Sequence, residues 1–131
     1  MAISGIRVIL PCELNRVWEV VTSLTAYGWR SDIEQIQILS DTQFVEYAKD
    51  GFATTFTTTA LEPYRRWEFD LENGNITGHW SGLFSEADGQ TQLVLVESAT
   101  AKRFWMRPFV KTYLKRQQAR YIADLKRALE L

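Results

Sequence analysis

A chain of 131 residues, 46% apolar, 24% charged and 13% aromatic, has the size and composition of one domain with a single core, and its evenly spread apolar residues exclude disorder. One cysteine excludes an internal disulfide and a cysteine-based zinc cluster, and one histidine leaves no His/Cys set for a metal, so neither a metal nor a cofactor is expected. The net charge of −1 is unevenly divided: residues 1–101 hold 6 Lys+Arg against 14 Asp+Glu, whereas residues 102–131 hold 9 against 2.

Ala2 to Leu10 is rich in Ile, Val and Leu and stops at Pro11, the pattern of a strand closed by a residue that cannot donate to a ladder. Leu14, Val17, Trp18, Val21 and Leu24 then follow helical spacing with one buried face. Tyr27-Gly28-Trp29 makes an aromatic corner with room for a second, one-turn helix. No apolar run approaches the ~20 residues of a membrane span, and Met1 to Pro11 carries no signal-peptide pattern, so a cytoplasmic protein without membrane insertion is expected.

Residues 32–101 lack a helical period. Asp50-Gly51, Asn73-Gly74 and Asp88-Gly89 supply hairpin turns, and Ser40-Asp41 and Glu62-Pro63 two further turns. Cutting there predicts strands near 32–39, 42–49, 52–61, 64–72, 75–87 and 91–101, which tight turns force to run antiparallel. In Trp67-Glu68-Phe69-Asp70-Leu71-Glu72, apolar residues alternate with acids, so one face is buried and the other wet.

From Arg107 onward the helical period returns. Val110, Leu114, Tyr121, Leu125 and Ala128 share one arc, and Lys115, Arg116, Arg120, Lys126 and Arg127 lie opposite. Such charge asymmetry can mark a nucleic-acid or membrane surface, but a nucleic-acid binder carries basic charge across the whole domain. A basic helix lying over an acidic sheet is therefore expected, with no nucleic acid as partner. A helix from Arg107 to Leu131 would be ~37 Å long, matching a domain about 36 Å across. The sheet must curl around it to cover its apolar arc.

The order strand, two short helices, six-strand meander and long terminal helix resembles the START-like (SRPBCC) superfamily, nearest to its polyketide cyclase/dehydrase branch. The similarity extends to Val17-Trp18-Glu19-Val20-Val21, Tyr27-Gly28-Trp29-Arg30, Phe44-Val45-Glu46, Glu62-Pro63-Tyr64-Arg65-Arg66, Gly78-His79-Trp80 and the run from Thr91 to Glu97. The resemblance implies one α+β helix-grip domain over residues 1–131: a curved antiparallel sheet of about seven strands, in the order β-α-α-β6-α, around the last helix. It also implies a cavity between them, in a superfamily that includes lipid and sterol carriers, hormone receptors, cyclases of aromatic polyketides and chaperone-stimulating domains. So wide a range constrains function poorly.

Nucleophilic catalysis fails on the residues available. In Gly78-His79-Trp80-Ser81-Gly82 the serine is fourth rather than third, and the segment reads as a strand, with His79 on the outer face. Glu46 alternates with Phe44 and Ala48, and Glu97 with Leu93, Leu95 and Ala99, so each acid faces either an apolar interior or water. The resemblance favours the interior, where desolvation would raise the carboxyl pKa and suit a proton donor, with Arg30 available as a partner. Phe56, Trp67 and Trp80 share inward phases on successive strands, and Gly78 and Gly82 beside Trp80 leave room on that face. These rings either fill a core or line a void. Gln118, inside the apolar arc beside Tyr121, needs a polar partner, whereas Gln117 lies nearer the edge.

The expectation is a non-enzymatic binder of a small hydrophobic lipid, aromatic or polyketide-like molecule. It would be lined by Trp29, Phe56, Trp67, Trp80 and Tyr121, with Glu46, Glu97 and Gln118 fixing its polar groups. The alternatives are a cyclase or dehydratase using Glu46 or Glu97 as general acid/base, and an interaction module whose basic helix face meets an acidic protein. A second copy of the chain stays open as a partner.

Overall fold

The computed structural model describes residues 1–131 as strand β1 (Ala2–Leu10), helix α1 (Leu14–Thr22), strands β2 (Ile33–Ile38), β3 (Gln43–Ala48), β4 (Ala53–Glu62), β5 (Arg66–Glu72), β6 (Ile76–Ala87) and β7 (Gln90–Ala101), a 3-10 helix (Phe104–Phe109) and helix α2 (Val110–Ala128). The strands form one sheet in the order β1-β7-β6-β5-β4-β3-β2. Every neighbouring pair is antiparallel. Each meander strand ends within two residues of its predicted limit.

The turns work by different means. Asp88 and Gly89 both take positive φ (55° and 75°), the left-handed pair that a two-residue hairpin needs between β6 and β7. At Asn73-Gly74 the Asn73 side chain does the work, its Oδ1 accepting the backbone N–H groups of Asn75 (2.8 Å) and Ile76 (2.9 Å).

Two expectations need correction. No second short helix follows α1: residues 23–32 form turns and bends, with Arg30 N–H donating to the Tyr27 carbonyl at 3.0 Å. The terminal α-helix begins at Val110 rather than Arg107, since Pro108 and its neighbours adopt the tighter 3-10 form. At 19 residues, α2 is about 28 Å long.

Its buried stripe includes Val110, Leu114, Gln118, Ile122 and Leu125, and it packs chiefly on β1 and β7. A helix about 10 Å wide covers roughly two strands spaced about 4.8 Å apart. Seven strands exceed that width, so the concave faces of β3 to β6 lie beyond the helix. Aromatic rings occupy that region instead. Phe44 stacks on Phe56 (4.9 Å between centroids) and Phe69 on Trp80 (4.6 Å), with Trp67 edge-on to both Phe69 and Trp80. α1 closes one end through Val17, Trp18 and Val21, with Trp18 edge-on to Phe84 at 4.8 Å.

Candidate functional site

Between the aromatic face of the sheet and the open flank of α2 lies a cavity of about 500 Å³. Trp29, Glu46, Phe56, Trp67, Trp80, Glu97, Gln118 and Tyr121 all line it, so both glutamates point into the interior. The space expected beside Trp80 is not part of the void. A Cβ at Gly82 would lie 2.8 Å from the Trp80 ring, which leans across it, and one at Gly78 would run into the Ser98 carbonyl of β7. These glycines allow close packing; the cavity comes from the mismatch between helix and sheet widths.

The polar groups divide into satisfied and unsatisfied sets. Arg30, from the α1–β2 connection, donates to both carboxylate oxygens of Glu46 (3.3 and 3.2 Å) and both of Asp32 (3.0 Å each). Its guanidinium also lies over the rings of Tyr121 (5.2 Å) and Trp29 (5.8 Å). Burial pushes Arg30 down, but the charge of Glu46 and the contact with Asp32 outweigh it and leave the group more firmly protonated. Burial also holds the Glu46 carboxyl above its ordinary value, with Arg30 opposing. The Tyr121 hydroxyl is raised by burial as well.

Gln118 finds its partner on β1 rather than in the cavity. Its Oε1 accepts from the Ser4 hydroxyl and its Nε2 donates to the Ser4 carbonyl, both at 2.8 Å. The amide therefore bolts helix to sheet. Gln117 Nε2 donates to the Tyr113 hydroxyl at 2.8 Å.

Glu97 is different. Burial, then the charge of Glu46, pushes its carboxyl up to about 7, Arg30 pulling the other way, and no hydrogen bond to the protein stabilises either form. The indole N–H of Trp29 is likewise buried without a partner. The site thus presents a carboxyl that exchanges its proton near neutrality, in a wall of rings.

Sequence reasoning missed several contributors. Asp32, which shares Arg30 with Glu46, falls at the start of a strand predicted near 32–39. Ser31, through its N–H (2.8 Å) and hydroxyl (2.7 Å), binds the Asp124 carboxylate and ties the Arg30 loop to α2. Arg116 and Arg120, read as part of the outer basic face, are exposed but border the cavity together with Tyr113. A helical wheel assigns positions to arcs; it does not show that the sheet stops short of one flank.

A family model described as polyketide cyclase / dehydrase and lipid transport matches residues 5–130. The chain belongs to this family. No curated protein matches it in sequence. Among solved structures, this polyketide cyclase/dehydrase and lipid transport family member is similar to a conserved protein from Geobacillus kaustophilus (TM-score 0.85, 10% identity, 98% of this chain and 95% of that one). It is similar also to a START superfamily protein from Mycobacterium smegmatis (TM-score 0.84, 16% identity, 98% and 97%). The di-domain ARO/CYC BexL of the BE-7585A biosynthetic pathway gives a TM-score of 0.83 at 12% identity, covering 100% of this chain and 47% of BexL. At such identities the likeness is one of fold.

Proposed function

We propose that this family member binds a small, largely apolar molecule between the sheet and α2. The rings of Trp29, Phe56, Trp67, Trp80 and Tyr121 supply apolar contact, and the Glu97 carboxyl sets orientation. One contrast carries the reading. Arg30, Asp32, Glu46 and Gln118 are satisfied within the protein, whereas Glu97 lines the cavity with no hydrogen-bond partner from the protein. A ligand offering a hydroxyl or carbonyl to Glu97 would complete the set. Glu46 and Gln118 act in this reading as supports, one holding Arg30 and the other anchoring α2.

The test is titration with fatty acids, flavonoid-like aromatics and short polyketides, followed by tryptophan fluorescence. A matching ligand should shift the emission, and Trp80→Ala should weaken it at least about tenfold, the loss of one large apolar contact. A panel that never perturbs the emission of the wild type would sink the reading.

A second reading rests on Glu97 alone. A carboxyl titrating near 7 suits a general acid or base, as a cyclisation or dehydration of the bound molecule would require. BexL, the ARO/CYC, shares the fold. Glu97→Gln would then abolish turnover while sparing affinity; a pure binder shows no turnover in either form.

A further inference from the structure

Residues 102–116, which carry the chain from β7 through the 3-10 helix into α2, contain six cations and no acid. Lys102 is paired with Glu72 at 3.1 Å; Arg103, Arg107, Lys111, Lys115 and Arg116 make no ion pair. Three rings stand among these charges: Phe104 is 77% exposed, Trp105 57% and Phe109 67%. Met106 alone of this turn is packed against the core, fixing the turn while the rings point to water.

From this surface we infer that the protein docks on anionic lipid bilayers through the 3-10 helix and the first turns of α2. Rings that project singly into solvent can each be enclosed by a fluid headgroup layer, and the unpaired cations are drawn to anionic lipids around them. A second copy of the chain fits less well, because a two-fold contact would set the same cations face to face. An acidic protein would answer the cations, but the projecting rings form no groove in which its side chains could seat.

The surface is continuous with the mouth of the cavity. Tyr113, one turn beyond Phe109, is 47% exposed and belongs to the cavity wall, as does Arg116. Phe52, from the β3–β4 turn, is exposed and lines the same cavity. Docking would therefore bring the opening against the bilayer. Docking stands on the patch alone; passage of an apolar molecule from the bilayer to the cavity rests on the binding role proposed above.

The test is flotation with vesicles of phosphatidylcholine, with and without phosphatidylglycerol. Wild type should float with the mixed vesicles, less so as salt rises. The exposed double variants Phe104→Ser/Trp105→Ser and Arg103→Glu/Arg107→Glu should each lose at least about tenfold in affinity while keeping the wild-type melt. Nile red, an uncharged apolar dye titrated without vesicles, reports the cavity separately. Variants that lose vesicles but retain the probe support docking, and flotation of a wild type that ignores the probe supports docking while counting against the binding role. Failure of wild type to float with anionic vesicles, or undiminished flotation of both variants, overturns the inference. So does retention on polyglutamate, or self-association abolished by the ring variant, in place of vesicle binding.

Discussion

Trp80 and Glu97 stand directly opposite each other across the β6–β7 ladder, both facing the cavity. Side chains so paired lie about 5 Å apart at Cβ, so a large indole displaces water from one flank of the carboxyl. On the other flank Glu97 is in register with Ser4 of β1, whose hydroxyl is already committed to Gln118. The acid is therefore desolvated on both sides, and its pKa climbs.

This has a definite sign for stability. Glu97 titrates at about 7 in the fold and near ~4.3 when unfolded, so the folded state binds the proton more tightly. Its contribution is full below about pH 4.3 and is lost as pH rises to about 7, on the order of 4 kcal/mol in all at about 1.4 kcal/mol per unit. Glu97→Gln should lessen the decline in stability over that range, leaving the part due to Glu46, and exceed wild type at about pH 8 by roughly 1–3 kcal/mol. Urea unfolding across the range measures it, and parallel pH profiles for the two proteins would refute it.

Arg30 makes a harsher prediction. Its side chain and that of Glu46 are only 14% and 13% exposed, and Asp32 shares the same guanidinium. Arg30→Met leaves two carboxylates without their cation and should cost about 3–5 kcal/mol, the range for breaking a buried pair from one side. Adding Glu46→Gln removes one stranded charge and should recover a substantial part. Glu97 should also titrate higher in Arg30→Met, because Arg30 holds it down. Thermal melts and carboxyl NMR read these effects, and a double variant no better than the single would contradict them.

Much of this is legible in the sequence where a local rule governs. The Trp67-to-Glu72 alternation, the Asp88-Gly89 turn and the stripe of α2 depend on neighbours a few residues apart, and the strands and helix lie where those patterns put them. The inward turn of Glu46 could not be read from alternation, because both phases of β3 carry buried residues: Phe44 and Val45 are 2% and 8% exposed; for Glu97 the sequence of β7 puts apolar residues in both phases, Leu93 and Leu95 in one, Val94 and Val96 in the other. Nor could the Ser4–Gln118 bond, which spans 114 positions, or the cavity-side placement of Arg116, which depends on where the sheet edge falls against the helix.

The Ser4–Gln118 pair yields a stability test with little bearing on ligand contact. Ser4 is 5% exposed and Gln118 also 5%, and the hydroxyl is the protein donor to Gln118 Oε1. Ser4→Ala leaves that oxygen buried and unpaired, for about 1–3 kcal/mol, while the bond from Nε2 to the residue 4 carbonyl persists. The cost should appear in denaturant melts, with ligand affinity at fixed folded fraction unchanged. A parallel fall in affinity would instead give the amide a direct part in binding.

His79 lies on the outer face of β6 between two acids of β5, its Nδ1 2.7 Å from Asp70 Oδ1 and its Nε2 2.8 Å from Glu68 Oε1. With both ring nitrogens against carboxylates, the imidazolium is the form that satisfies every partner. The hydrogen bond to Asp70 leads in raising its pKa, burial opposes, and Glu68 adds to the rise. Because the folded value exceeds the unfolded ~6.5, the stabilisation is full below ~6.5 and fades as pH rises through the folded value. The ring is 38% exposed, so solvent screening limits the effect to about 1 kcal/mol or less. His79→Gln should therefore lose stability relative to wild type near about pH 6 and match it near about pH 9, with salt narrowing the gap. Glu97 has largely finished losing its contribution by about 7, so a decline in wild-type stability that continues above that point and vanishes in His79→Gln belongs to the histidine. A decline above about 7 that persists unchanged in His79→Gln would deny it the role.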